Sequence, residues 1–229
     1  ILRSPHHHAR ILSIDTTEAE ALPGVLAVST GVDAPDLFGV LPVTKDEHAM
    51  AVEKVRHVGD LVACVAAENE ATALEACRLI KVDYEVLDAV HDMEDGLLDA
   101  DSPIHDRGKY HIGESNIQKR VYQDFGNVGE MHENAVASHY ADWKFAGVNH
   151  GFTEPHAVSA HWSPTGRLTL YTPQQVPHYV HRALADVMQI PMHQINVHRT
   201  CVGGGFGGKS DPFPHEMCAA ILARKCGRP

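Results

Sequence analysis

Between Asp83 and Asp106 the chain carries nine carboxylates (Asp83, Glu85, Asp88, Asp92, Glu94, Asp95, Asp99, Asp101 and Asp106) and no lysine or arginine. Like charges at this density repel one another, and the stretch holds too few aromatic residues to pack, so it reads as a solvated connector. A chain of 229 residues interrupted in this way is expected to fold as two blocks, at 1–88 and 121–229, joined by an acidic linker at 89–120. The net charge is −11, and the nine acids account for most of it, leaving the two blocks close to neutral. That balance excludes a general nucleic-acid or anionic-membrane binder, since either needs a basic face. No stretch approaches the ~18 consecutive apolar residues of a membrane span. Five cysteines, Cys64, Cys77, Cys201, Cys218 and Cys226, are odd in number and lack CxxC spacing, which points to a reducing, cytoplasmic compartment. Ile1 is not an initiator methionine, and Cys226-Gly227-Arg228-Pro229 reads as a helix stop with nothing after it. The chain is therefore read as a fragment of a longer one.

The first block alternates strands and helices. Asp15 or Thr16 can cap a short helix that Pro23-Gly24 stops, and Val25–Thr30 reads as a strand. A second strand run spans Val55–Ala67, turned at Gly59-Asp60. Asn69 is placed to cap a helix whose apolar face is Ala73, Leu74, Cys77 and Ile80. Lys81–Leu87 then alternates strictly, as a half-buried strand does. In the second block, Val136–Lys144 and Ala157–His161 read as strands. Ser163–Gly166 turns the second of these into a hairpin with Arg167–Tyr171. A helix follows Pro177, a short strand covers Ile195–Val197, and a last helix runs from Pro214 to Lys225. The expected class is α+β.

Ahead of that last helix lies Val202-Gly203-Gly204-Gly205-Phe206-Gly207-Gly208-Lys209-Ser210. So many glycines bring bare backbone N–H groups close to something bulky and anionic, with Phe206 as a wall or stacking face. Gly203–Ser210 also satisfies the phosphate-binding pattern GxxxxGK[ST], which makes a nucleotide-dependent phosphotransferase using Lys209 and Ser210 the alternative reading. Against it, Pro212 and Pro214 fall where the helix behind the phosphates should start. A non-enzymatic interaction module with a ligand-free loop is the third reading.

In order along the chain, several segments carry a resemblance. They are Leu2-Arg3-Ser4-Pro5-His6 with His8-Ala9-Arg10-Ile11, Leu22-Pro23-Gly24-Val25, and Val55–Asp60. They continue with Val148-Asn149-His150, Glu154-Pro155-His156, Gln175-Val176-Pro177, and the glycine loop. The chain resembles the molybdenum-cofactor-binding large subunits of the xanthine dehydrogenase and aldehyde oxidase family, with its nearest likeness in the 4-hydroxybenzoyl-CoA reductase branch. The resemblance implies an α/β hammerhead domain followed by the first part of a mixed α/β cofactor domain. It also implies a molybdenum–pterin cofactor, as molybdopterin or its cytosine dinucleotide, with 2Fe-2S clusters and FAD on partner subunits or domains. The substrate would be an aromatic, heterocyclic or aldehyde compound, with neither nucleic acid nor membrane as partner. Gln175 and Phe206 are implied as catalytic, and Gln175, Gly204, Gly205, Phe206 and Gly207 as cofactor-binding. Gln174 stands beside Gln175 as the other candidate glutamine. Ser210 occupies the place where purine-oxidising members carry glutamate, which puts purine oxidation in doubt. The family's catalytic glutamate would lie beyond Pro229, so the fragment alone is expected to be inactive.

Eighteen histidines invite a metal reading, but His6-His7-His8 on extended chain cannot all face one ion, and HExxH is missing. No protein-ligated metal is expected. Cys201 reads as a buried thiol, and Glu154 as either a pocket acid or a structural carboxylate.

Overall fold

In the computed structural model, residues 1–40, 45–98, 103–105, 116–117 and 121–229 are described. The first block runs β1 (Leu2–Arg3), β2 (Ala9–Asp15), α1 (Thr17–Glu20), β3 (Val25–Thr30), β4 (Leu37–Phe38), β5 (Glu47–His48), β6 (Lys54–Val55), β7 (Leu61–Ala67), α2 (Glu70–Leu79) and β8 (Lys81–Val86). Two antiparallel three-stranded sheets result, ordered β1-β7-β3 and β6-β2-β8, with β4 and β5 as a separate ribbon. The local rules read from the sequence operate here. Asn69 Oδ1 accepts the Thr72 N–H at 2.9 Å and caps α2. Asp15 Oδ1 accepts the Thr17 N–H at 3.0 Å at the head of α1. In β8 the alternation turns Val82 and Tyr84 onto a small core of Ala9, Ala51, Val55 and Val62.

β7 is apolar throughout because both its faces are covered. Ala63 and Val65 pack with Ala76 and Cys77 of α2, whereas Cys64 belongs to a different core. That second core joins the two blocks. Phe38, Met50, Leu61 and Cys64 share it with Leu168, Leu170, Leu184, Ile195, Met217 and Ile221. Fully burying a side chain of this size is worth about 1.5–3 kcal/mol, so the contact between blocks is a major part of the fold.

Of the acidic linker, residues 99–102, 106–115 and 118–120 lie outside the described residues. Its described part includes a short helix that the charge pattern had not suggested, α3 (Met93–Leu98), with Asp92 Oδ1 accepting the Glu94 N–H at 2.9 Å. In the second block come α4 (Val128–Glu133), β9 (Ser159–Trp162), β10 (Leu168–Thr172), α5 (Pro177–Met188), β11 (Ile195–Arg199) and α6 (Pro214–Cys226). The expected strand at Val136–Lys144 is not formed. The segment has no regular structure and is exposed, with Val136 and Trp143 open to solvent, and it pairs with no strand among the described residues.

β10 pairs antiparallel with β9 as the expected hairpin, and parallel with β11, from Leu168 opposite Ile195 to Thr172 opposite Arg199. β10, α5 and β11 thus form a strand–helix–strand crossover. α6 lies between this sheet and the first block, where the indole N–H of Trp162 donates to Ala220 O at 2.8 Å. On its other side, Lys225 Nζ meets Val28 O and Asp33 Oδ2, each at 2.8 Å.

Candidate functional site

The parallel pair determines where the site forms. β10 and β11 both end at one edge of the sheet, and antiparallel β9 begins there. Three chain segments therefore converge: 150–158 entering β9, 173–176 leaving β10, and 200–213 leaving β11. Ligands of parallel sheets gather at this carboxyl edge.

The glycine loop is gripped from two sides. Gln175 Oε1 accepts the N–H groups of Gly207 at 3.1 Å and Lys209 at 3.2 Å, while the Gln175 N–H donates to Lys209 O at 2.8 Å. On the other side Glu154 Oε2 accepts the Gly203 N–H and a proton of Lys209 Nζ, both at 2.7 Å. The Lys209 side chain is fully buried, with its ammonium 4.7 Å from the centre of the Phe152 ring. Lys209 and the Gly203 N–H hold the Glu154 carboxyl below the usual carboxylate range.

The glycines are required by these contacts. A Cβ on Gly205 would lie 2.5 Å from Gln175 Oε1, one on Gly203 2.6 Å from Glu154 Cβ, and one on Gly208 2.8 Å from His150 Cγ. Gly204 and Gly207 take φ of +95° and +90°, the left-handed region that glycine favours. Phe206 also has positive φ, 51°, and its ring stands 73% exposed, so it is not a core residue.

What the loop leaves unpaired defines its chemistry. Among the described residues, the N–H groups of Gly204, Gly205 and Phe206 have no acceptor, and the Gln175 Nε2 amide has none either. Three successive backbone donors and a neutral side-chain amide fit an oxygen-rich, anionic group.

The two neighbouring glutamines part company here. Gln174 is buried, with Nε2 donating to Asp211 O at 2.8 Å and to Glu216 Oε2 at 3.3 Å. Glu216 is itself buried and also accepts from the Thr172 hydroxyl at 2.7 Å and the Phe213 N–H at 3.1 Å. Burial raises the Glu216 pKa, against the pull of those donors. Behind the loop, His156 and His215 sit 5.0 Å apart, with Phe213 against both. Burial, then the charge of Lys209, lowers the His156 pKa. Burial foremost, with His156 and Arg3, brings the His215 pKa down to about 4.

The phosphate-loop alternative fails on this geometry. No helix begins at Gly208-Lys209-Ser210, since α6 starts only at Pro214, and the Lys209 ammonium is buried against Glu154 rather than turned to a ligand. Ser210 Oγ lies 3.5 Å from Gln175 Oε1. Cys201 is exposed rather than buried, because it lies past the last backbone bond of the ladder, Thr200 N–H to Thr172 O at 3.1 Å. His181 Nε2 lies 2.8 Å from Met192 O, and among the described residues no three histidine, cysteine or acidic side chains are arranged to hold a metal ion. The sequence reading missed the Glu154–Lys209 pair; the unusual placement of a lysine directly after a double glycine was the available signal.

Fold and loop together define a two-part cofactor-binding chain, one part a scaffold and the other a backbone cradle. Residues 110–229 match the model of the molybdopterin cofactor-binding domain, and residues 1–88 that of the aldehyde oxidase and xanthine dehydrogenase a/b hammerhead domain. The chain belongs to the molybdopterin-binding subunits of the xanthine dehydrogenase and aldehyde oxidase family. It is 32% identical, over its full length, to the xanthine dehydrogenase molybdenum-binding subunit of Escherichia coli O157:H7, of which it spans 31%. The nicotinate dehydrogenase large molybdopterin subunit of Eubacterium barkeri is 30% identical over 96% of the chain, which spans 50% of it. Among solved structures, quinoline 2-oxidoreductase from Pseudomonas putida 86 superposes with a TM-score of 0.83 at 31% identity, over 99% of this chain and 29% of that one. The chain thus spans between 29% and 50% of the length of these relatives.

Proposed function

We propose that this chain supplies the front wall of the active site in a molybdenum-cofactor-dependent oxidoreductase acting on an aromatic, heterocyclic or aldehyde substrate. The carrying observation is the set of unpartnered donors at one sheet edge: the N–H groups of Gly204, Gly205 and Phe206 and the Gln175 amide. When bound, the molybdenum–pterin cofactor supplies two-electron redox chemistry and the oxygen exchanged with substrate carbon. Gln175 uses its two ends separately. Its carbonyl oxygen orders the loop, and its Nε2 is left to donate to a cofactor oxygen without adding charge. Gly204 and Gly205 let the backbone approach the cofactor closely, Gly207 supplies the left-handed turn that presents them to it, and the exposed ring of Phe206 provides a face against which a flat substrate can stack. Glu154 is committed to Lys209 and Gly203, so it does not serve as the proton acceptor.

We assign the scaffold to 1–88, the linker to 89–120 and the cofactor domain to the segment from 121. Electrons would pass to iron–sulfur and FAD partners; that these relatives are themselves subunits supports the presence of partner chains. Five free cysteines support a cytoplasmic setting, and no helix among the described residues is long and apolar enough to cross a membrane. The relatives' names favour hydroxylation of an electron-poor ring carbon. The residue likeness to the 4-hydroxybenzoyl-CoA reductase branch supports the reverse type, removal of a ring hydroxyl from an aryl-CoA thioester. The test is to purify the full-length protein with its co-purifying subunits, determine molybdenum and pterin per chain, and assay N-heterocycles, aldehydes and aryl-CoA thioesters in turn. About one molybdenum per chain and turnover of one of these classes is expected. A well-folded preparation without molybdenum would overturn the reading.

A further inference from the structure

The Glu154 carboxylate reaches both ends of the glycine loop with a single oxygen. Oε2 accepts the Gly203 N–H, at the loop's start, and a proton of Lys209 Nζ, at its end, each at 2.7 Å. The Glu154 N–H adds a third tie, to Gly203 O at 3.3 Å. Closure to this degree needs the lysine buried, and its side chain is 0% exposed, enclosed with Phe152 on one side and Glu154 on the other. A buried ammonium held by one carboxylate is left without a counter-charge when that partner is removed, which penalises the closed loop. The opposite flank of the loop is held by Gln175, whose Oε1 accepts from Gly207 and Lys209. Lys209 is common to both grips. Its side chain answers to Glu154, and its backbone N–H and C=O answer to Gln175. The setting of the Gln175 amide is thereby coupled to a charge pair on the far side of the loop.

We propose that Glu154 is a positioning residue of this active site, acting through Lys209 to fix the glycine loop and, with it, the aim of Gln175 Nε2 and Phe206. The inference rests on the functional reading above and adds to it a residue that touches neither substrate nor cofactor. It also explains why a lysine following two glycines faces inward, where a phosphate-binding lysine would face out. The ion pair leaves this stretch of the loop without net charge, so the free N–H groups of Gly204, Gly205 and Phe206 set the local field.

The test uses the full-length holoenzyme and three variants: Glu154→Gln, Lys209→Met, and the double variant. Hydrogen exchange read by mass spectrometry requires no cofactor. In Glu154→Gln, peptides covering 203–210 should exchange at least tenfold faster, while those of α5 are unchanged. Per bound molybdenum, kcat should fall at least tenfold through the misaimed Gln175 amide, and KM should rise through the displaced Phe206 face. The double variant removes the stranded charge and should recover at least threefold in kcat per molybdenum over Glu154→Gln, even if the single variant folds poorly. Wild-type exchange and kcat per molybdenum in Glu154→Gln, or a double variant no better than it, would overturn the proposal. A wild-type enzyme without molybdenum would instead overturn the functional reading, and the exchange result would still judge the clamp.

Discussion

The backbone of Gly205 lies so close to the Gln175 side chain that a Cβ at position 205 would fall 2.5 Å from Oε1. Gly207, two residues on, has φ of +90° but open space, with His150 Nε2 at 4.0 Å the nearest atom to a Cβ placed there. The two glycines are thus needed for different reasons, and alanine separates them. Gly205→Ala must push the Gln175 amide aside, and because that is the far end of a flexible side chain the stability cost is small, less than about 1 kcal/mol, and the effect falls on the aim of the amide. Gly207→Ala meets only backbone strain, about 1–2 kcal/mol. The distinguishing readout is cofactor content. Gly205→Ala should yield protein with little molybdenum, while Gly207→Ala should retain most of it at a lowered Tm.

Adjacent residues leaving a strand point to opposite sides, so Gln174 and Gln175 have opposite duties. Gln174→Ala leaves Asp211 O and Glu216 Oε2 short of a donor in a buried place, at a cost of about 1–3 kcal/mol. Urea unfolding should show that loss. Gln175→Ala frees loop N–H groups that water can reach, so its stability should change by less than about 1 kcal/mol. Its kcat in the full enzyme should nevertheless fall by about 10²-fold, the usual effect of removing one aimed donor. Equal effects of the two substitutions on stability would contradict this division.

Much of the fold was legible because it is locally specified. Lys81–Val86 alternates in sequence and, as far as Glu85, in burial, and Asn69 caps α2 as its position implies. The division of labour between Gln174 and Gln175 was not legible, because it depends on Glu216, more than forty residues downstream. The Lys209 side chain fits a phosphate-binding pattern locally, and only Glu154, 55 residues upstream, turns it inward. Val136–Lys144 has the composition of a strand, but strand formation needs a partner that no local pattern can supply. Cys64 reads as an ordinary strand residue, and its place in the core shared with α6 follows from tertiary packing alone.

His215 gives the protein a pH dependence of definite sign. Its pKa is lowered from 6.5 to about 4, by burial first and then by His156 and Arg3. Between those values the unfolded chain holds a proton that the folded chain lacks, so acid favours unfolding. The contribution is fully present above pH 6.5 and is lost as pH falls towards 4, roughly 3 kcal/mol in all and about 2 kcal/mol of it between pH 7 and pH 5. His156, also lowered, acts in the same direction. Glu47, raised to about 7 by burial first, acts in the opposite direction over the same range, so the His215 contribution is read as a difference between proteins. Going from pH 7 to pH 5, the urea midpoint of His215→Leu should move towards greater stability relative to wild type, by about 2 kcal/mol. The same pH response in wild type and variant would remove His215 as a source.

The two tryptophans report on surfaces of opposite kind. Trp162 is half-buried, its indole N–H bound to Ala220 O at 2.8 Å and its ring beneath Arg224. Trp143 is 87% exposed, in a segment where Tyr122, Phe125, Tyr140 and Phe145 are also open to solvent. Isolated apolar residues on a surface are ordinary, but a run of large ones is the mark of a surface that is covered when the protein is assembled. In the 229-residue chain by itself, acrylamide should quench Trp143, read in the Trp162→Phe variant, about as freely as an indole in water. Trp162, read in Trp143→Phe, should be several-fold protected, since quenching requires contact with a ring that α6 shields. Chymotrypsin should cut first at Tyr122–Phe145 and only later in β9 or α6, because its sites in that segment are exposed and carry few backbone hydrogen bonds. Protection of Trp143 equal to that of Trp162, with the segment resisting chymotrypsin, would mean that the aromatic strip is already packed within the 229 residues.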